Sequence, residues 1–431
     1  MRKNRSTGFT RRHVVAASAT LAGGAFLGGF SGRALASAPP TEITFASAPF
    51  FSKASIDGLI EAYNSSQGAV HATYLELPSA SDPVALHEDL VKRLKGADGA
   101  PDVFSLDVVR IAEFASKGLS LPLRDHFDQG VTAAFFPGIV QGCTVGGELM
   151  ALPWFADGGM LFYRADILER IGVGVPQTWD DLVAAAKSGV SSETPHGFLW
   201  QGKKSEALVC NLVSVIGSNG GTILADDGAI RFGDTEAIAA VQFLHDAITR
   251  LKISPPDVLA WDEEPCRKPF NAGQAVFLRN WSYTWGLAQQ GDSAVAGKVG
   301  VAPLPHFPGK ASAACLGGYQ FGVNAKTKNK SAAIDFLTWL STAETQLRFA
   351  TVDGLPPTRQ GVFDDPALAK AQPFLAQLKN VFVGALARPV TSQYPKVTLA
   401  IQAEVAKGLA SGDIAHALGS AAKKIKSVLA T

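Results

Sequence analysis

The chain has 431 residues, of which 47% are hydrophobic and 18% charged, and its formal net charge is +1. That length is too great for one small core and fits about two domains. The composition is that of a packed globular protein and excludes a disordered chain.

Residues 1–36 read as an export signal. They carry six Lys/Arg and no acid, then the apolar run VVAASATLAGGAFLGGF, then Ala34 and Ala36 in an A-x-A cleavage pattern. The run is glycine-rich and shorter than the roughly 20 apolar residues of a membrane-spanning helix. Arg11 and Arg12, after Thr10, resemble a twin-arginine signal. An ordinary secretory signal that contains two arginines is the alternative. The mature chain is expected to start near Ser37, with no cysteine there to take a lipid, as a soluble periplasmic protein. Removing the signal lowers Lys+Arg from 39 to 33 against 38 Asp+Glu, a net of −5. That argues against nucleic acid or an anionic membrane surface as partner. No later segment is apolar enough to span a bilayer.

The body alternates strand-like and helical patterns, which predicts an α/β fold. TEITFASA (41–48) reads as a strand. SIDGLIEAYNSS follows, with Ile56, Leu59, Ile60 and Tyr63 at helical spacing. PDVFSLD (101–107) is a second strand, followed by a helix, VVRIAEFASKG, closed by Gly118. In PQTWDDLVAAAKS, Thr178 and Asp181 form a capping-box pattern, and Ser341 and Glu344 repeat it in STAETQLRFA. The last helix carries Ile414, Leu418, Ala421 or Ala422, Ile425 and Leu429 on one face. Cys143, Cys210, Cys266 and Cys315 form no C-x-x-C pair and have no histidine at ligand spacing, so no metal site and no cofactor is expected. Free buried thiols are the expectation, one disulfide the alternative.

Five stretches carry candidate chemistry. Asp107 ends a strand, where ligands of open α/β sheets gather; capping the next helix would explain it equally. Asp157 is the one acid in LPWFADGGMLFYR (152–164), among Trp154, Phe155, Phe162, Gly158 and Gly159. It either bonds its own turn or accepts hydroxyls from outside. An acceptor among aromatic rings suits a sugar, whose hydroxyls donate and whose C–H faces pack on rings. In FLRNWSYTWG (277–286), Trp281, Tyr283 and Trp285 alternate, which places all three on one strand face; a core face is the plain reading. CLGGYQFGVN (315–324) sets Gly317 and Gly318 before Tyr319, so backbone amides can approach a ligand. ARPVTSQYP (387–395) offers Arg388, a five-donor fork.

The order and wording of these segments resemble the extracellular solute-binding proteins (family 1) of ATP-binding-cassette sugar importers, the group with the maltose and trehalose binders. The resemblance spans nearly the whole mature chain. It is carried by DVFSLDVVRIAEFASKGLSLPL, ALPWFADGGMLFYRADIL, PQTWDDL, PCRKPFNAGQAVFLRNWSYTW, VGVAPLPHFPG, GGYQFGVNAKTKNKSAAIDFLTWL and GLPPTRQGVFDDP. It implies a two-lobed periplasmic-binding-protein fold of type II-like form. The chain would cross the hinge near 155–158, 300–305 and 341–350. The first lobe would hold 37–156 plus 303–345, the second 157–302 plus 346–431.

The resemblance also implies site roles. Asp107 and Asp157 match hydroxyl-accepting acids, and Phe155 matches an often aromatic position. Trp281 and Tyr283 match a ring-stacking segment, Gly317, Gly318 and Tyr319 a loop that meets the sugar, and Arg388 a hydroxyl donor. The first loop departs from the disaccharide binders: SAPFFSKAS (47–55) has no acid and offers Phe50, Phe51, Ser52 and Lys53 instead. The implied activity is capture of a sugar by hinge closure and delivery to a membrane permease, by a monomer without covalent chemistry. Two other classes are weighed. A secreted glycosidase would use Asp107 and Asp157 as its carboxylate pair, though neither sits in a motif that would raise one pKa. A binder of a glycerophosphodiester or polyol would use Arg388 and Lys53 on phosphate. A peptide or metal scavenger is disfavoured by eight scattered histidines.

Overall fold

The computed structural model describes residues 39–80, 83–225 and 227–430. The export-signal reading therefore lies outside the described residues. The strands are β1 (Thr41–Ser47), β2 (Val70–Glu76), β3 (Val103–Asp107), β4 (Thr144–Val145), β5 (Glu148–Leu149), β6 (Leu152–Gly158), β7 (Met160–Arg164), β8 (His196–Leu199), β9 (Ala275–Asn280), β10 (Val299–Ala302), β11 (Ala314–Val323) and β12 (Ala385–Leu386).

The first sheet has the order β12-β11-β3-β1-β2, and β6 also pairs with β11. β1 runs parallel to β2 and β3, and β11 antiparallel to β3 and β6. β3 buries four residues in succession, the burial pattern of a strand covered on both faces. Helix Lys53–Ser66 links β1 to β2 and buries Ile56, Leu59 and Tyr63, as its spacing predicts. The second sheet has the order β10-β7-β9-β8, with β7 antiparallel to both neighbours and β8 parallel to β9. β9 is buried along its whole length. β4 and β5 form a separate hairpin.

Several local expectations hold. Thr178 Oγ1 accepts Asp181 N at 3.1 Å and Asp181 Oδ2 accepts Thr178 N at 2.9 Å, which completes the capping box of helix Trp179–Gly189. Gly118 has φ 62° beyond helix Ile111–Ser116. Helix Ile414–Leu429 buries Ile414, Leu418, Ala421 and Ile425. All four cysteines are free and buried.

Two expectations are corrected. Ser341 is not an N-cap: its amide still donates to Leu337 in the preceding helix. Thr342, extended at ψ 157°, caps helix Ala343–Asp353 by accepting Thr345 N at 3.2 Å. Trp281, Tyr283 and Trp285 do not share a strand face. β9 stops at Asn280, whose Oδ1 accepts Trp281 N at 2.9 Å. Trp281 O then accepts Thr284 N, and the chain enters helix Tyr283–Ala288. A side chain that bonds the next amide offers the backbone an alternative to the ladder.

The segment after residue 341 stays with the first sheet. Phe349 packs its ring 5.7 Å from Phe51 and 5.5 Å from Trp154, and Phe382 lies 5.9 Å from Phe136. Helix Tyr394–Ser411 instead packs on helices Glu206–Gly217 and Ile414–Leu429.

Candidate functional site

Three neighbouring strands bring distant residues into one row. Tyr319 of β11 is paired with Asp107 of β3 on one side and with Phe155 of β6 on the other. Gly318 pairs with Ala156 and Gly317 with Asp157. Asp107 ends β3 and Asp157 is next to the end of β6, and both meet the middle of β11, to which β3 and β6 run antiparallel. Gly318 has φ 100°, and a Cβ there would lie 2.3 Å from Phe155 O. Only glycine meets both conditions. The register slips by one residue between Tyr319 and Gln320, a bulge that re-aims the side chains beside it.

The aromatic residues form one surface. Phe50, from the loop after β1, lies 4.5 Å from Tyr319 and 5.0 Å from Phe155 between ring centres. Phe155 stacks on Tyr319 at 5.9 Å. Trp281 reaches the same strands from the second sheet, with its ring 3.3 Å from where a Gly317 Cβ would stand. The guanidinium of Arg279 lies 4.4 Å from the Trp281 ring centre, within cation–π range, and Trp281 Nε1 donates to Glu263 at 3.3 Å.

Asp157 sits between these groups. Its Oδ1 accepts Gly158 N at 2.8 Å and Ser282 N at 3.2 Å. The turn-bonding reading of Asp157 is therefore realised, together with a second bond to the other sheet. Burial pushes its carboxyl up to about 6, against the pull of the two amides and the Arg279 charge. This overturns the expectation that nothing here raises a carboxyl pKa, so that argument does not count against acid catalysis.

Asp107 does cap: Oδ1 accepts Val109 N at 3.1 Å. The same oxygen lies 3.6 Å from Arg388 Nη2. Arg388 is buried, its Nη1 donates to Glu206 Oε1 at 2.8 Å, and its Nε has no partner. Glu206 also accepts the Tyr394 hydroxyl, and Thr398 Oγ1 at 2.5 Å. Arg388 also borders a cavity of about 750 Å³ lined by Gln141, Thr144, Ile216, Thr222 and Leu386.

The structure thus brings together Asp107, Phe155, Asp157, Trp281, Gly317, Gly318, Tyr319, Arg388 and Phe50. The other three residues make bonds of their own. Tyr283 is 40% exposed and donates to Glu264 at 2.8 Å. Ser52 caps helix Lys53–Ser66. Lys53, 86% exposed, pairs with Asp57 at 2.7 Å. The sequence reading missed Glu206, Arg279 and Ser282. The signal for Glu206 was its place as the first residue of a helix after KKS, and Arg279 was visible as a charge inside an otherwise apolar strand.

The chemistry on offer is acceptance by carboxylates, donation by one buried guanidinium, and contact with aromatic faces. These recognise hydroxyls and C–H surfaces. Among the described residues, no helix is long and apolar enough to cross a membrane.

A family description, bacterial extracellular solute-binding protein, matches residues 54–347. A probable ABC transporter-binding protein of Deinococcus radiodurans is 36% identical over 342 residues, 77% of this chain and 80% of that protein. Maltose-bound T. maritima MalE3 is 36% identical with a TM-score of 0.72, over 90% of this chain and 99% of that one. The cyclic alpha-maltosyl-1,6-maltose binding protein from Arthrobacter globiformis shares the fold at a TM-score of 0.78 and 24% identity, over 90% and 99% of the two chains. The family and the fold are those of binding proteins of ABC transporters. The chain belongs to the bacterial extracellular solute-binding proteins, has their two-lobed α/β fold, and is the solute-binding component of an ABC transporter.

Proposed function

We propose that this protein captures a neutral sugar, a disaccharide or short oligosaccharide of trehalose or maltose type, and delivers it to a membrane permease. The observation that carries this is the meeting of Asp157, Gly317 and Trp281, which sets an acceptor and an aromatic ring from the two sheets side by side. The maltose bound by T. maritima MalE3, at 36% identity, supports the ligand class. A glycerophosphodiester is disfavoured, because the charge of Arg388 already faces Glu206 and Asp107, and Lys53 faces Asp57.

The lobes follow the sheets in this reading. The chain crosses at about 158–160 and 302–314, as it passes from β6 to β7 and from β10 to β11. The third crossing is at 387–393, between β12 and helix Tyr394–Ser411, rather than at 341–350. Ligand contacts from both lobes exist together only in the closed form, so binding shifts the hinge equilibrium. The protein acts as a monomer in the periplasm, without a lipid anchor, after export by the twin-arginine route. Titration calorimetry of the mature chain with trehalose and maltose tests the ligand class. Saturable binding of either supports it, and binding of glycerophosphocholine alone contradicts it.

A further inference from the structure

Arg388 is a buried cation between two carboxylates. Nη1 donates to Glu206 at 2.8 Å, while Nη2 lies 3.6 Å from Asp107 Oδ1 and 3.5 Å from Leu316 O. Nε is buried with no partner. Glu206 is itself held in place by the Tyr394 and Thr398 hydroxyls. One positive charge therefore faces two negative ones. An arriving phosphate or carboxylate finds no uncompensated cation and must lose water beside two like charges. A hydroxyl carries no charge to offset and can donate to the Asp107 and Glu206 carboxylates, whose side chains are 38% and 39% exposed. A free guanidinium is otherwise suited to anions, because its fork matches phosphate and carboxylate geometry.

We infer that Glu206 is a specificity-determining residue. It cancels the charge of Arg388 and fixes the fork, so that the site accepts a neutral oxygen and refuses an anionic ligand. This rests on the neutral-sugar reading of the site.

The test compares the mature wild-type chain with Glu206→Gln and Glu206→Asp by titration calorimetry. The probes are trehalose, maltose and their 6-phosphates. Wild type binds the better neutral sugar at least about tenfold tighter than its phosphate. Glu206→Gln narrows that ratio by about tenfold, partly through a gain for the phosphate, and Glu206→Asp keeps the wild-type ratio. A merely structural role would weaken both ligands in proportion. An unmoved ratio in folded Glu206→Gln, with neutral-sugar binding intact in wild type, overturns the inference alone. Failure of wild type to bind any neutral sugar overturns the functional reading and the inference with it. Should Glu206→Gln not fold, Glu206→Asn makes the same charge change in a smaller side chain.

Discussion

Asp157 Oδ1 accepts the backbone N–H of Ser282 at 3.2 Å, across 125 residues of chain. This bond joins the end of β6 in the first sheet to the turn after β9 in the second. The acid among the aromatic residues of LPWFADGGMLFYR is therefore satisfied in part by the protein itself, and its position between the sheets leaves it only partly buried.

Stability should depend on pH through Asp157. Burial raises the Asp157 carboxyl to about 6, above its value of 3.8 in the open chain. The folded state thus favours the protonated form. The stability this contributes is present below about pH 4 and is lost as pH rises through about 6. Asp157→Asn removes that loss. Its melting temperature should depend less on pH between about 4 and 7.5 than that of wild type. At pH 7.5 it should be no less stable, with a gain of up to about 2 kcal/mol. A variant clearly less stable at pH 7.5 would show that the ionised carboxylate is favoured in the fold.

Binding should have the opposite pH dependence. A ligand hydroxyl donates to the ionised carboxylate, so affinity falls as pH drops below about 6. Asp157→Asn should weaken binding at pH 7.5 by about 10- to 100-fold, the size of a hydrogen bond to a charged group, and flatten its pH profile. Calorimetric titrations at pH 5 and 7.5 check both points.

The two neighbouring tryptophans should behave differently. Trp281 meets Gly317 and is half-buried, while Trp285 stacks on Phe374 at 4.7 Å and 6°. Trp281→Ala should lower affinity by about tenfold or more through lost ring contact. Trp285→Ala should instead lower stability by about 2–4 kcal/mol, with a smaller loss of affinity than Trp281→Ala, since its stack on Phe374 joins the two lobes but leaves Gly317 uncovered. Denaturant melts and titrations on both variants separate these effects.

Gly318→Ala should fail by strain. Its φ is 100°, and the new Cβ would press on Phe155 O at 2.3 Å. A cost of about 2 kcal/mol or more is expected, with loss of binding because Tyr319 and Phe155 flank that point. Thr178→Ala is the control: it should cost about 1 kcal/mol as a lost N-cap and leave affinity unchanged.

Much of this was legible in the sequence. The β1 and β3 strands, the Thr178 capping box and the last helix follow from periodicity and cap chemistry, which act over a few residues. The residues in the row across β3, β6 and β11 were singled out through family resemblance, since no local rule pairs Tyr319 with both Asp107 and Phe155. What failed had a physical cause. Alternation in NWSYTW suggests a strand, but the Asn280 side chain bonds the next amide and turns the chain into a helix. The helix start at Glu206 was visible, but its role depends on Arg388, 182 residues away, which no local pattern supplies. The pKa of Asp157 was misjudged because burial depends on the second sheet, which periodicity does not place.

The most direct measurement is a tryptophan fluorescence titration of the mature protein with trehalose, maltose, sucrose, glucose, mannitol and glycerophosphocholine, run beside Trp281→Phe. A neutral sugar should give a saturable change that is lost or much reduced in Trp281→Phe. A response to glycerophosphocholine alone, or no response to any of the six in a folded protein, would contradict the neutral-sugar reading.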